Sequence, residues 1–143
     1  MSKTRVLFVC VHNSARSQMA EALLKKIAGD KFEVESAGLE PGTLNPLAVE
    51  AMKEIGIDIS QNRTKSVKDF FEQGKHYDYV ITLCDASQSN KCPFFPGTIE
   101  MLNWSFDDPA GFKGAWEQKL AQTRKVRDQI QTKIKDWLNT LKL

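Results

Sequence analysis

The run Val6-Leu7-Phe8-Val9-Cys10 most constrains what this chain can fold into. Five consecutive apolar residues, β-branched and aromatic among them, lack the alternation of a strand with one face in water. Such a run suits a strand buried on both faces, as in a parallel sheet covered by helices. Tyr79-Val80-Ile81-Thr82-Leu83 is a second run of this kind. Phe32-Glu33-Val34-Glu35-Ser36 alternates and predicts a strand stopped near Gly38, and residues 99–104 predict a short one. Helical patterns lie between them. Met19, Ala20, Leu23, Leu24 and Ile27 recur at helical spacing, and Gly29 is expected to end that helix in the left-handed conformation. Asn45 caps and Pro46 opens a second helix through Ala48, Val49, Met52 and Ile55, with Gly56 as its stop. Residues 115–141 read as one long helix with Val126, Ile130, Ile134, Leu138 and Leu141 on one face. Residues 84–97 turn polar and then proline-rich, which reads as a surface segment, and 107–111 read as a loop.

Strands alternating with helices over 143 residues imply a single α/β domain spanning 1–143, joined by right-handed crossovers. Composition narrows the function classes. A net charge of +2 gives no argument for nucleic acid, and no apolar run approaches the ~20 residues of a membrane span. Residues 113–143 hold eight Lys or Arg against three acids, the solvated face of the last helix. The basic start leads into only a short apolar run without a cleavage site, so no signal peptide is expected. Three cysteines, an odd number, argue against a secreted disulfide framework and for a reducing, cytoplasmic setting. A monomer is the expectation.

Cys10-Val11-His12-Asn13-Ser14-Ala15-Arg16-Ser17 carries the chemistry. It lies where a buried strand gives way to a helix, at the strand's carboxyl end, where open α/β sheets bind ligands. A cysteine, five residues and an arginine can wrap one tetrahedral oxyanion. Backbone N–H groups and the helix start supply donors, and the Arg16 fork can hold two oxygens. The positive surroundings favour a thiolate at Cys10, and the Ser17 hydroxyl can donate to its sulfur. Residues 11–17 are therefore the expected oxyanion-binding loop, with Cys10 a nucleophile aimed at phosphorus or arsenic. His12 is assigned a backbone-donating place in the loop and no catalytic part.

The stretch from Val9 to Ala22, reading VCVHNSARSQMAEA, resembles the low-molecular-weight protein tyrosine phosphatase superfamily. Within it the chain is most similar to the thioredoxin-coupled arsenate reductase branch. Ser17-Gln18-Met19-Ala20-Glu21 is typical of that branch, whereas the phosphatases usually carry proline after the serine. Ser36-Ala37-Gly38, Asn45-Pro46 with Gly56-Ile57-Asp58-Ile59-Ser60, and Phe106-Asp107-Asp108-Pro109-Ala110-Gly111 match in the same order. The resemblance implies a three-layer sandwich, with a central parallel four-stranded sheet and helices on both faces.

Expelling an oxygen from a pentavalent centre needs a proton donor, and Asp107 and Asp108 are both candidates. By resemblance the acid is Asp108, directly before the proline. Cys84 closes the run Tyr79–Leu83 and would lie near Cys10 if the two strands are neighbours. Cys92 follows after seven residues. A zinc site finds no compact pair of ligands among three scattered cysteines, His12 and His76, so no metal is expected. Inert buried thiols would account for Cys84 but less well for Cys92, in a polar loop before proline. The resemblance implies a redox role for both. Cys84 attacks the Cys10 adduct, and Cys92 resolves the resulting disulfide for reduction by thioredoxin. The segment 85–91 between them is polar, small and able to refold at low cost in buried area.

Three departures from the branch stand out. Its best-known members separate the last two cysteines by six residues rather than seven. Ala15 replaces a frequent loop cysteine. Asn13, Glu21 and Ser36 match a monovalent-cation pattern of some relatives, yet the expected aspartate region reads Arg63-Thr64-Lys65-Ser66. No strong potassium site is expected. The implied function is therefore arsenate reduction with phosphate or sulfate as competing oxyanions, no bound cofactor, and electrons from thioredoxin. An aryl phosphatase using only Cys10, Arg16 and Asp108 is the alternative. A non-catalytic oxyanion sensor is a third reading that leaves the nucleophile and acid without purpose.

Overall fold

The two continuous apolar runs lie side by side at the centre of one sheet. A computed structural model describes residues 3–84 and 91–141. Strand β1 (Thr4–Cys10) is followed by helix α1 (Arg16–Ala28), β2 (Phe32–Gly38), α2 (Pro46–Lys53) and α3 (Val67–Glu72). Then come β3 (Tyr79–Thr82), β4 (Glu100–Asn103), a 3₁₀ turn (Pro109–Gly111) and the long helix α4 (Trp116–Thr140). The strands run in the order β2-β1-β3-β4, all parallel. This is the expected four-stranded sheet with helices on both faces. Chain direction across the sheet reverses between β1 and β3, so the carboxyl end of β1 is the crevice where such sheets take ligands.

Val6, Leu7, Phe8 and Val9 have no exposure at all. Burying each is worth roughly 1.5–3 kcal/mol, which makes β1 the anchor of the molecule. Even-numbered β1 side chains enter the larger cluster, with Met19, Leu23 and Leu24 of α1, Met52 of α2, and Val126, Ile130 and Ile134 of α4. Trp137 closes this layer against Trp104, Phe32 and Tyr79 at ring separations of 5.7, 5.8 and 5.2 Å. Leu7 and Val9 point the other way, toward Val67 and Phe70 of α3 and toward Tyr77, Cys92 and Phe95. Glu33 and Glu35 put charge on the edge strand β2, where Glu35 accepts from Lys75 and from the Tyr77 hydroxyl.

Four expectations need correction. Gly29 is right-handed (φ −61°), and what excludes a side chain there is the Lys25 carbonyl, 2.4 Å from where a Cβ would stand. Helix α2 stops at Lys53, two residues short of Ile55, and the turn closes through left-handed Gly56 with Ile57 N–H on the Met52 carbonyl. Helix α3 is absent from the sequence reading because one turn and a half offers only Val67 and Phe70 as an apolar pair. Its one local signal is Ser66, whose hydroxyl accepts from Asp69 N–H. The segment after Cys84 is not all surface. Phe94 is exposed, but Cys92 and Phe95 are buried in the core facing α3. The expectation of cheap refolding concerns residues 85–91, of which 85–90 lie outside the described residues.

Candidate active site

Cys10 ends β1, and the loop of residues 11–15 turns from it into α1. The loop's carbonyls are committed outward. Those of Cys10, Val11, His12 and Ser14 accept from the N–H groups of Leu39, Glu40, Gly42 and Asn45 at 2.7–3.1 Å. In a trans peptide the next N–H points opposite to the carbonyl. The loop therefore turns its N–H groups inward, and none from residues 11–17 has a partner among the described residues. Seven such donors at a helix start make a cradle of the kind that can hold an oxyanion. His12 stands at the rim, exposed, its Nδ1 2.7 Å from the Glu40 carbonyl.

Gly38 makes this cradle possible. A Cβ there would stand 2.7 Å from Asn13 N and 2.8 Å from the His12 carbonyl carbon. Asn13 is the one non-glycine residue with positive φ (53°) among the described residues, a conformation asparagine tolerates better than most. Its amide is fully used. Nδ2 donates to Ser17 Oγ at 2.7 Å and Ser36 Oγ at 3.0 Å, while Oδ1 accepts from Gln18 Nε2 at 3.0 Å and Lys65 N at 2.9 Å. Ser17 Oγ lies 2.8 Å from Cys10 Sγ.

Arg16 is buried and held on one side. Nη1 donates to the carbonyls of Leu83 and Phe106, and Nη2 donates to Asp108 Oδ2 at 3.2 Å. Its Nε is buried with no hydrogen-bond partner among the described residues. A buried unpaired guanidinium N–H beside a cradle of unpaired backbone donors is where an anion belongs. Nε is thus the guanidinium donor left without a partner among the described residues, while Nη2 is shared with Asp108. Asp108 accepts from Ala110 N–H through Oδ1 and faces Arg16 through Oδ2, so it is oriented toward the loop. Asp107 is exposed and enters none of these contacts.

Leu83 N–H donates to the Val9 carbonyl, extending the β1–β3 pairing to the residue before Cys84. Cys84 therefore leaves the strand directly beside the one that ends in Cys10, as neighbouring strands would require. All three cysteines are buried. Burial pushes the Cys92 thiol up to about 12, and the nearby Cys84 adds to this.

Comparison with known proteins places the chain in a family. The low molecular weight phosphotyrosine protein phosphatase family matches residues 5–143. The chain belongs to this family. An arsenate reductase of Halalkalibacterium halodurans is 45% identical over 140 residues, covering 98% of this chain and 99% of that one. A solved arsenate reductase in the phosphate binding state superposes with a TM-score of 0.78 at 32% identity, covering 96% of this chain and 98% of the other. The thioredoxin-dependent arsenate reductase of Corynebacterium glutamicum gives 0.68 at 32% identity, covering 96% of this chain and 63% of its own.

Within this family frame, the sequence reading named the loop and its partners but not the polar residues beneath it. Gln18 ties Asn13 to the Arg63 carbonyl and accepts from Asn62. Lys65 binds Asn13 through its backbone, and its ammonium lies 3.2 Å from Glu21 Oε1 and 3.4 Å from Ser36 Oγ. The cation pattern flagged in the sequence thus carries a lysine ammonium on two of its three residues. Only positive φ at Asn13 hints at this layer, and a sequence does not display it.

Proposed function

We propose that the chain is an arsenate reductase that carries electrons on three cysteine thiols. Arsenate occupies the cradle of residues 11–17, held by its N–H groups and by the Nε–Nη2 edge of Arg16. The Cys10 thiolate attacks arsenic, and Asp108 gives a proton to the departing oxygen. Water leaves, and a sulfur–arsenic bond replaces an arsenic–oxygen bond. Cys84 then attacks the Cys10 sulfur. A disulfide forms, the sulfur–arsenic bond breaks, and its electron pair stays on arsenic, which leaves as arsenite. Cys92 attacks the Cys84 sulfur and releases Cys10 as a thiolate, moving the disulfide to Cys84–Cys92. Reduced thioredoxin takes up that two-electron oxidation, so the scheme uses no bound cofactor. We further read residues 1–143 as one domain working as a monomer in the cytoplasm.

The observation that carries this reading over a plain phosphatase is the second thiol. Cys84 leaves the strand next to that of Cys10, and it lies near enough to Cys92 to help raise that thiol. The names of the relatives support the same choice. Burial keeps the Cys92 thiol protonated, so the last exchange requires Cys92 to leave the apolar layer first. An aryl phosphatase is the second reading, favoured by the completeness of Cys10, Arg16 and Asp108 without further thiols. The deciding experiment follows arsenate-dependent NADPH oxidation with thioredoxin and its reductase, beside aryl phosphate hydrolysis. Sustained NADPH oxidation that phosphate or sulfate slows is the expected result. Aryl phosphate turnover with no arsenate-dependent NADPH oxidation would make the chain a phosphatase.

A further inference from the structure

The nucleophile is connected to a buried ion pair through three side chains. Cys10 Sγ meets Ser17 Oγ at 2.8 Å, Ser17 accepts from Asn13 at 2.7 Å, and Asn13 donates to Ser36 at 3.0 Å. Ser36 in turn donates to Glu21 Oε1 at 2.5 Å. The direction of this chain matters. Because Ser17 Oγ accepts from an amide N–H, its own proton is left to point at the Cys10 sulfur. Because Glu21 is an acceptor, the Ser36 proton goes to it, and Ser36 keeps its lone pairs for Asn13.

Glu21 is buried at 7% exposure, and an unpaired carboxylate there would be costly. Two lysines face it, Lys25 at 2.6 Å from Oε2 and Lys65 at 3.2 Å from Oε1. Burial alone raises the Glu21 carboxyl, but Lys65, Lys25 and Ser36 together hold it below the ordinary range. The two lysines are not equivalent. Lys25 sits half-exposed on the helix of Glu21 itself and touches neither serine. Lys65 reaches both Glu21 and Ser36, and its main chain is pinned to the loop support. Its N–H donates to Asn13 Oδ1, and its carbonyl accepts from Gly38 N–H. It is a cation fixed in place at both levels.

We propose that Lys65 is a positioning residue for the nucleophile. It acts as a tethered counter-ion that keeps Glu21, Ser36, Asn13 and Ser17 aligned so that the Ser17 hydroxyl donates to Cys10. The inference rests on Cys10 being the reactive thiol, and on nothing later in the reaction. A cavity of about 470 Å³ borders Glu21 and Lys65 and is lined also by Asn62, Arg63 and Thr64. A small amine can therefore reach the carboxylate when the lysine side chain is cut back.

The test reads Cys10 alkylation by iodoacetamide at neutral pH, mapped by mass spectrometry, with thermal melting alongside. Lys65→Met should slow Cys10 alkylation about tenfold, the scale of losing one hydrogen bond to a charged group. Lys65→Arg should stay near the parental rate, and Lys25→Met should change it far less than Lys65→Met. Lys65→Ala should be slow in tetramethylammonium chloride and recover in methylammonium chloride, both in alkylation and in melting temperature. Parental alkylation in Lys65→Met, or an equal loss in Lys25→Met, overturns the proposal. If Lys65→Met does not fold, the two-salt comparison on Lys65→Ala decides, and the same rate in both salts overturns it. Iodoacetamide needs neither arsenate nor Cys84 and Cys92, so the outcome is independent of the reductase reading.

Discussion

Cys10 and Arg16 differ at the loop in what each leaves unpaired. Arg16 spends Nη1 on two backbone carbonyls and Nη2 on Asp108, and keeps a buried Nε without a partner among the described residues, so its guanidinium is fixed in orientation. Cys10 is held by one hydroxyl contact, from Ser17. Cys10→Ser should abolish arsenate reduction and any aryl phosphate hydrolysis together, because an alcohol stays protonated near neutral pH. Steady-state assays of both activities check this, and turnover by the variant in either would remove Cys10 from the chemistry. Glu21 gives a second expectation at this scale, with its sign fixed by the direction of its shift. Its carboxyl is lowered in the folded chain, so the stability it contributes is present above the ordinary value of 4.5 and lost as pH falls through it toward the folded value. Glu21→Gln should therefore flatten the acid limb of a stability–pH curve measured by urea unfolding between neutral pH and pH 3. A variant that keeps the parental acid slope would show that the slope arises elsewhere.

At the scale of elements, the site is a product of β1, β2 and α1 meeting at one end of the sheet. Gly38 lets the end of β2 lie against the loop, with Asn13 N only 2.7 Å from a prospective Cβ. Gly38→Ala should push the loop away from Cys10. It should cost about 1–3 kcal/mol by overpacking and lower turnover well beyond the loss in stability, as thermal melting beside kinetics will show. Parental turnover in a folded Gly38→Ala variant would mean that the loop tolerates the displacement. The buried runs of β1 and β3 and the capped start of α2 were legible in the sequence because each repeats a physical period or a cap. Helix α3 was not, since six residues carry too little pattern, and Cys92 was misjudged because its polar neighbours hid a buried thiol. That Cys10 and Arg16 share one loop was legible because they lie six residues apart, between a buried strand and a helix start. Lys65 and Gln18 were not, because their value lies in contacts that only the fold creates.

Across the whole molecule, the sheet order brings together cysteine-bearing segments that are far apart in the chain. Neighbouring β1 and β3 bring the segments bearing Cys10 and Cys84 side by side, while Cys92 is packed in the layer facing α3. A relay through these thiols asks the molecule to uncover Cys92 only after the first disulfide has formed. The measurement that tests this most directly is a single arsenate pulse on the Cys92→Ser variant, followed by acid quench and disulfide mapping by mass spectrometry. The account predicts one arsenite released per chain and a Cys10–Cys84 disulfide that persists, because the resolving thiol is missing. Repeated turnover at the parental rate with thioredoxin, or a pulse that leaves Cys10 and Cys84 unlinked, would contradict it.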